Sequence, residues 1–353
     1  MDQGKPWRRR VRKVGDYVRR GDWAGLKQEA IQFLAWKGIA WASRQRDTLS
    51  CSVSPVLDSH HLQCEASFWA QVDFDRIRHA SWGSIQCLGP MALLEMTHGS
   101  TNDINRLINE TMQVPHKEGL RGLVLGCGDM RAEHSAFINP HLSFAEIDAY
   151  DINEQAFEQA RAVTTTAGLK VNFQVGDVNR MVLPADTYHL IVIFHSYHHF
   201  ERVGRIAQQI NRALVPGGVF YTFDYIGPRR IQQTKRQLFY AQMMLEALPE
   251  RYRREANGQI RQRVKNVAPG ALSPDEAVRS DQILSALRNN LHIVWQYNWA
   301  GLLFPLLEGI AFNFDENEPS DRALIHYLFH LDKVLCRSGH IKPNFTITLA
   351  SKR

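Results

Sequence analysis

Residues 120–130 read LRGLVLGCGDM. The apolar run Leu123-Val124-Leu125 stops at Gly126, and Gly128 follows with Cys127 between. A run of that length is a buried strand in form. Glycine at its end lets the backbone turn tightly and approach a ligand closely. One G-x-G by itself is equally an ordinary strand-to-helix turn, so what surrounds it decides.

Downstream the strand pattern recurs in FAEIDAYD (144–151), VNFQVGD (171–177), HLIVIF (189–194) and GVFYTFDY (218–225). Polar, alanine-bearing stretches of helical length separate them, NEQAFEQARAVTTTAG (153–168) and ERVGRIAQQINRALVPGG (201–218) among them. The second closes on Pro216-Gly217-Gly218, a stop and reversal. LHIVWQYNW (291–299) and NFTITLAS (344–351) read as two late strands flanking a helix at about 320–337. Strands alternating with helices predict an α/β domain, a mostly parallel sheet with helices on both faces. Such sheets bind ligands at the carboxyl ends of their strands.

Aspartates occupy those ends. Asp151 closes the second strand, the next one after the glycine turn, and Asp177 closes the third. Either alone is more often a helix cap or a turn former. Together, at successive strand ends after a glycine turn, they fit an adenosine site. One carboxylate accepts the ribose hydroxyls, and the other an adenine amino group.

The series VLGCGDM, AYDIN, VGDV, FHSYHHF and LVPGGVFYTFDY, over roughly residues 118–226, resembles the class I S-adenosylmethionine-dependent methyltransferases. The resemblance implies a Rossmann-like seven-stranded sheet with one reversed strand, and S-adenosylmethionine as cofactor. It implies that Gly126, Cys127 and Gly128 pass the methionine part of the cofactor. Asp151 then holds the ribose and Asp177 the adenine end, with Ile152 and Val178 packing on the base. Two positions depart from the family pattern. Val124 stands where an acidic residue is common, and Met130 where a third glycine is common.

FHSYHHF (194–200) ends the fourth strand. Family members that methylate hydroxyls of sugars or natural products carry a similar histidine pair there, some with an acidic residue after the fifth strand. By that carry-over His198 or His199 is the general base, with Asp224 as its partner and His195 on the cofactor side. The chemistry agrees. An alcohol must lose a proton during transfer, and imidazole, with an unperturbed pKa of about 6.5, accepts one near neutrality. The resemblance points to a hydroxyl of a small molecule or glycan as acceptor. N- or C-methylation, and RNA modification through the basic N-terminus, stay open as alternatives.

Composition bounds the rest. The chain has 353 residues, 44% of them hydrophobic and 22% charged, with a net charge of +6. Five cysteines (Cys51, Cys64, Cys87, Cys127, Cys336) are widely spaced, with no C-x-x-C or C-x-x-H pattern. Neither a disulfide framework nor a metal site is expected, and the compartment read from them is a reducing cytoplasm. Arg8, Arg9, Arg10, Arg12, Lys13, Arg19 and Arg20 crowd the N-terminus beside Trp7 and Trp23, and RYRREANGQIRQRVK (251–265) is a second basic run. Basic patches of this kind meet phosphate, nucleic acid or anionic lipid, or are merely solvated. Without a recognisable RNA-binding module nucleic acid is not expected. A peripheral place at an anionic membrane, or a lipid-linked substrate, is the reading kept for the N-terminus.

Residues 1–117 are read as an accessory helical region, with a helix over 17–46 and no clear period over 48–80. Residues 118–353 are the methyltransferase domain. Within it, 228–290 form a helical insertion before the sixth strand that covers the acceptor. Ser273-Pro274-Asp275 is the expected start of one of its helices. The oligomeric state is not legible.

Overall fold

The computed structural model describes residues 60–268 and 272–353. The readings on the basic N-terminus, the 17–46 helix and Cys51 lie outside the described residues. Residues 60–267 and 273–353 belong to one compact unit.

At its centre is a seven-stranded sheet of β1 (Leu120–Leu125), β2 (Phe144–Asp151), β3 (Val171–Val175), β4 (Tyr188–Phe194), β5 (Leu214–Tyr225), β6 (His292–Trp299) and β7 (Phe345–Ser351). Their order is β3-β2-β1-β4-β5-β7-β6. β1 to β5 run parallel, and β7 enters antiparallel between β5 and β6. The reversed strand is the one the resemblance implied.

The apolar runs follow from burial on both faces. Because successive strand side chains point to opposite faces, Val124 of β1 and Leu190 and Val192 of β4 join one core. Leu123, Leu125, Ile191 and Ile193 join the other. The first core holds Trp82, Trp299 and Phe345, with the Trp82 ring centroid 4.9 Å from both of the others. The second holds Tyr197, Phe220 and Ile206.

The described helices are α1 (His60–Ala70), α2 (Phe74–Ala80), α3 (Leu88–Met96), α4 (Ile104–Thr111), α5 (Phe157–Thr166), α6 (Val203–Ala213), α7 (Lys235–Ala247), α8 (Ile283–Asn290), α9 (Leu303–Leu307) and α10 (Pro319–Arg337). Residues 60–80, which show no clear period, are therefore helical over most of their length. What the sequence hides there is a polar face: His61, Glu65 and Trp69 recur every fourth residue, one line down a helix.

The insertion is less helical than expected. After α7 the chain runs through short turns to α8, which begins at Ile283 rather than at 273–275. Tertiary contacts claim the expected helix start. The Asp275 carboxylate lies 2.6 Å from His61 Nε2, and its N–H donates to Glu65. Arg230 takes the carbonyls of Pro274 and Glu276. Ala277 adopts a left-handed φ of 49°, which no helix interior tolerates.

Register lines up the strand ends. Leu125 pairs with Tyr150, and Asp151 with Val175, so the glycine turn and both aspartates share one rim. β2 and β3 lie on one side of β1, and β4 and β5 on the other. The chain changes direction across β1, and a crevice opens where it does.

Candidate active site

At the end of β1, Gly126 and Gly128 take φ values of 71° and 46°. A Cβ at Gly126 would lie 2.5 Å from Ser196 Oγ. Glycine there lets the turn after β4 close on β1, and Ser196 Oγ bonds the Leu125 carbonyl at 2.9 Å. A Cβ at Gly128 would meet nothing within 4 Å, so that turn opens on empty space. Cys127 contributes backbone, since its thiol is buried and burial pushes its pKa well up. Met130, in the place of a third glycine, keeps the left-handed conformation (φ 61°) with its side chain fully buried. The backbone shape survives at a strain cost of about 1–2 kcal/mol.

Asp151 accepts the N–H groups of Gly128 and Asn153, each at 2.8 Å. A carboxylate offers about four acceptor sites, so it retains capacity for hydroxyl donors. Part of Asp151 stays open to the crevice, yet protein encloses it enough for burial to raise its pKa. The backbone donors and the His199 charge act the other way. Asp177 Oδ1 accepts the Asn179 N–H at 2.9 Å. Ile152 is partly open, and Val178 is buried in the second core.

Beyond β4 the chain turns through His195, whose φ is 49°. Its ring is exposed, with its edge toward Phe223 at 4.7 Å. Surrounding protein still desolvates the ring enough to lower its pKa. The turn then brings in His198 and His199, ring centroids 4.2 Å apart.

Asp224, fully buried at the end of β5, organises this turn. Its carboxylate accepts the N–H groups of Ser196, Tyr197, His198 and Tyr225. Its Oδ1 also lies 2.6 Å from His198 Nδ1. The other His198 nitrogen, Nε2, faces Glu276 Oε1 at 3.2 Å. Burial would lower the His198 pKa, but Asp224 and Glu276 outweigh it and push it up to about 10. Burial likewise favours a neutral Glu276, yet His199 and His198 pull its pKa down to about 2. His198 is therefore an imidazolium clamped between two carboxylates.

His199 has its own carboxylate. Nδ1 lies 3.5 Å from Glu65 Oε1, with Ser273 Oγ at 3.4 Å. Glu65 is held by Trp69 Nε1 at 2.7 Å and the Asp275 N–H at 3.0 Å. Burial opposes its charge, and the bonds from His199, Trp69 and Asp275 leave its pKa lowered. His199 Nε2 lies 3.9 Å from Glu276 Oε2, beyond hydrogen-bond reach. The sequence reading missed Glu65 and Glu276. The His61-Glu65-Trp69 spacing was the signal for the first, and Glu276 left none. Ligand atoms of His198, His199 and Glu276 also lie within 4.8 Å of one another, near enough for a cation.

The glycine turn, the aspartates at successive strand ends and the histidine turn converge on one crevice, and residues 123–218 match the protein family described as Methyltransferase domain. That segment is a methyltransferase domain, as the resemblance implied. No curated protein matches this methyltransferase. Among solved structures it is similar to an S-adenosylmethionine-dependent methyltransferase from Mesorhizobium loti, with 18% identity, 67% of this chain and 93% of that one covered, and a TM-score of 0.37. It is also similar to geranyl diphosphate C-methyltransferase from Streptomyces coelicolor A3(2), with 12% identity, coverage of 85% and 100%, and a TM-score of 0.44.

S-adenosylmethionine is the methyltransferase's cofactor, and the residues present fit it. The space beside Gly128 and the free acceptor capacity of Asp151 are what a ribose and its sulfonium-bearing arm require. Among the described residues, no helix is long and apolar enough to cross a membrane.

Proposed function

We propose that this methyltransferase acts on a hydroxyl group of a small molecule or glycan, with His199 as the general base. The observation that supports it is the pair of parallel dyads, Asp224 with His198 and Glu65 with His199. A ring already protonated between two carboxylates takes no further proton, which leaves His199. With its Nδ1–H toward Glu65, the His199 lone pair is on Nε2, beside the 3.9 Å gap to Glu276. An acceptor hydroxyl beside that gap donates its one hydrogen to Nε2, and the Glu276 carboxylate stabilises the imidazolium that forms.

S-adenosylmethionine, when bound, supplies an activated methyl on its sulfonium. Asp151 accepts the ribose hydroxyls, and Asp177 the adenine amino group. Gly126 and Gly128 admit the methionine arm. His198 fixes Glu276, and with it one edge of the acceptor site. Orientation and proton removal are what a hydroxyl acceptor needs from the protein.

The test is turnover with labelled cofactor on a panel of hydroxylated acceptors, with the methylated atom located by NMR. His199→Ala is expected to lower turnover by roughly 10²–10⁴-fold, and Glu65→Gln by a smaller factor, with cofactor affinity unchanged. A product methylated on carbon or nitrogen, or near-parental turnover in His199→Ala, overturns the reading.

A further inference from the structure

The basic run at 251–265 has a specific place in the fold. Arg251 pairs with Asp321 at 2.9 Å. Arg261 is matched by Glu255 at 2.9 Å and bonds the Glu308 carbonyl at 2.7 Å. From Gln262 to Val267 the chain is a strap without regular secondary structure. It is tied to α7 by Gln242, which bonds Val264 N and the Gln262 carbonyl, and to the segment before α7 by Asn266, which bonds Gln233 N and its carbonyl.

This strap walls a groove of about 540 Å³ whose lining includes Ile231, Gln233, Arg263, Lys265, Phe304 and Glu308. Arg263 and Lys265 are exposed, and neither makes a hydrogen bond or ion pair with any described residue. Gln233 is only 7% exposed and its Oε1 has no partner. Its Nε2 donates to the Tyr225 hydroxyl at 3.2 Å. Tyr225 in turn packs its ring 5.9 Å from His198 and 5.6 Å from Phe304. The groove thus adjoins the histidine cluster through one tyrosine. It offers an apolar wall, one buried amide with spare capacity, and two uncompensated cations.

We propose that this groove binds the remote end of the methyl acceptor, and that this end carries an anionic group, a phosphate or a carboxylate. Calling the ligand the acceptor rests on the hydroxyl-methylation reading above; the anion preference does not. Unpaired cations on a groove wall attract anions, and charge-assisted hydrogen bonds are the stronger class. Ile231 and Phe304 give the body of the ligand apolar contact, and Gln233 reads a polar group on it. Tyr240, Met243 and Met244 of α7 are not part of this lining, and Met243 is half exposed.

The experiment is calorimetry on the full chain saturated with S-adenosylhomocysteine, at low salt. The probes are inorganic phosphate, phenyl phosphate, phenyl β-D-glucuronide and the neutral phenyl β-D-glucoside. At least one anionic phenyl probe is expected to bind at least about tenfold tighter than the glucoside. Phenyl phosphate against glucuronide tells phosphate from carboxylate, and inorganic phosphate tells whether the anion alone suffices. Arg263→Ala with Lys265→Ala should remove the preference, and Arg263→Lys with Lys265→Arg should keep it, all with unchanged S-adenosylhomocysteine affinity. A glucoside binding as well as the anions overturns the proposal, as does an alanine pair that keeps the preference. A methyl found on carbon or nitrogen would sink the hydroxyl reading while leaving this preference intact.

Discussion

Asp224 Oδ1 lies 2.6 Å from His198 Nδ1, and the same carboxylate accepts three backbone N–H groups of the turn that carries the histidine. One buried charge therefore shapes the loop and protonates its ring. The pH dependence of stability follows. The His198 pKa rises to about 10 in the fold from about 6.5 unfolded. Its contribution is complete below about pH 6.5 and is lost as pH climbs through about 10. Burial also raises Glu133 to about 8, Glu308 to about 7 and Asp332 to about 6. These act in the same direction, from unfolded values of about 4 upward. Glu276, lowered to about 2, acts oppositely and loses its contribution as pH falls below about 4.3. Thermal melts should show highest stability at mildly acidic pH and a decline toward pH 10. In Asp224→Asn the decline between pH 8 and 10 should flatten; an unchanged slope would mean Asp224 does not hold the His198 proton.

Asp151→Ala should weaken S-adenosylmethionine binding by tenfold or more, about 1.5–3 kcal/mol for a charged acceptor lost from two hydroxyls. Since Asp151 also bonds Gly128 and Asn153, Asp151→Asn is the companion variant, retaining part of those contacts and an intermediate affinity. Calorimetry on folded protein measures both. Parental affinity in the alanine variant removes Asp151 from the cofactor site.

Left-handed backbone at the glycine turn makes opposite substitutions informative. Met130→Gly relieves strain of about 1–2 kcal/mol but empties a fully buried side chain's place, worth about 2–5 kcal/mol. A net loss of stability is expected. Gly126→Ala adds strain and sets a Cβ 2.5 Å from Ser196, so it should lower both the melting temperature and cofactor affinity. A stabilised Met130→Gly would mean that strain outweighs packing at this turn.

The arginines and lysines crowded before Gly21, with Trp7 and Trp23 near them, suit an anionic interface. The full chain is expected to float with anionic vesicles at low salt, and a chain lacking residues 1–20 is not. Equal behaviour of the two would leave the segment without a membrane role.

The sheet was legible in the sequence because its signals are local. Leu120–Leu125 and Tyr188–Phe194 are apolar along most of their length, as strands buried on both faces must be, and Gly126, Asp151 and Asp177 mark strand ends within a short reach of the apolar runs. The histidine turn was legible for the same reason.

What surrounds those histidines was not. Glu65 arrives from a helix that precedes the whole sheet, and Glu276 from a turn that follows β5 and α7. Ser273-Pro274-Asp275 carries every local mark of a helix start and does not form one, because Asp275 and Glu276 are held by His61, Glu65 and His198. By itself, the sequence determined the strands, the rim of strand ends with its glycine turn and aspartates, and the presence of two imidazoles beside it, since short-range hydrophobic period and turn chemistry encode these. Only the tertiary structure decided which carboxylate faces which ring. Partners so far apart along the chain meet only once the sheet has closed, and the Asp224 and Glu276 carboxylates then hold the His198 proton against burial.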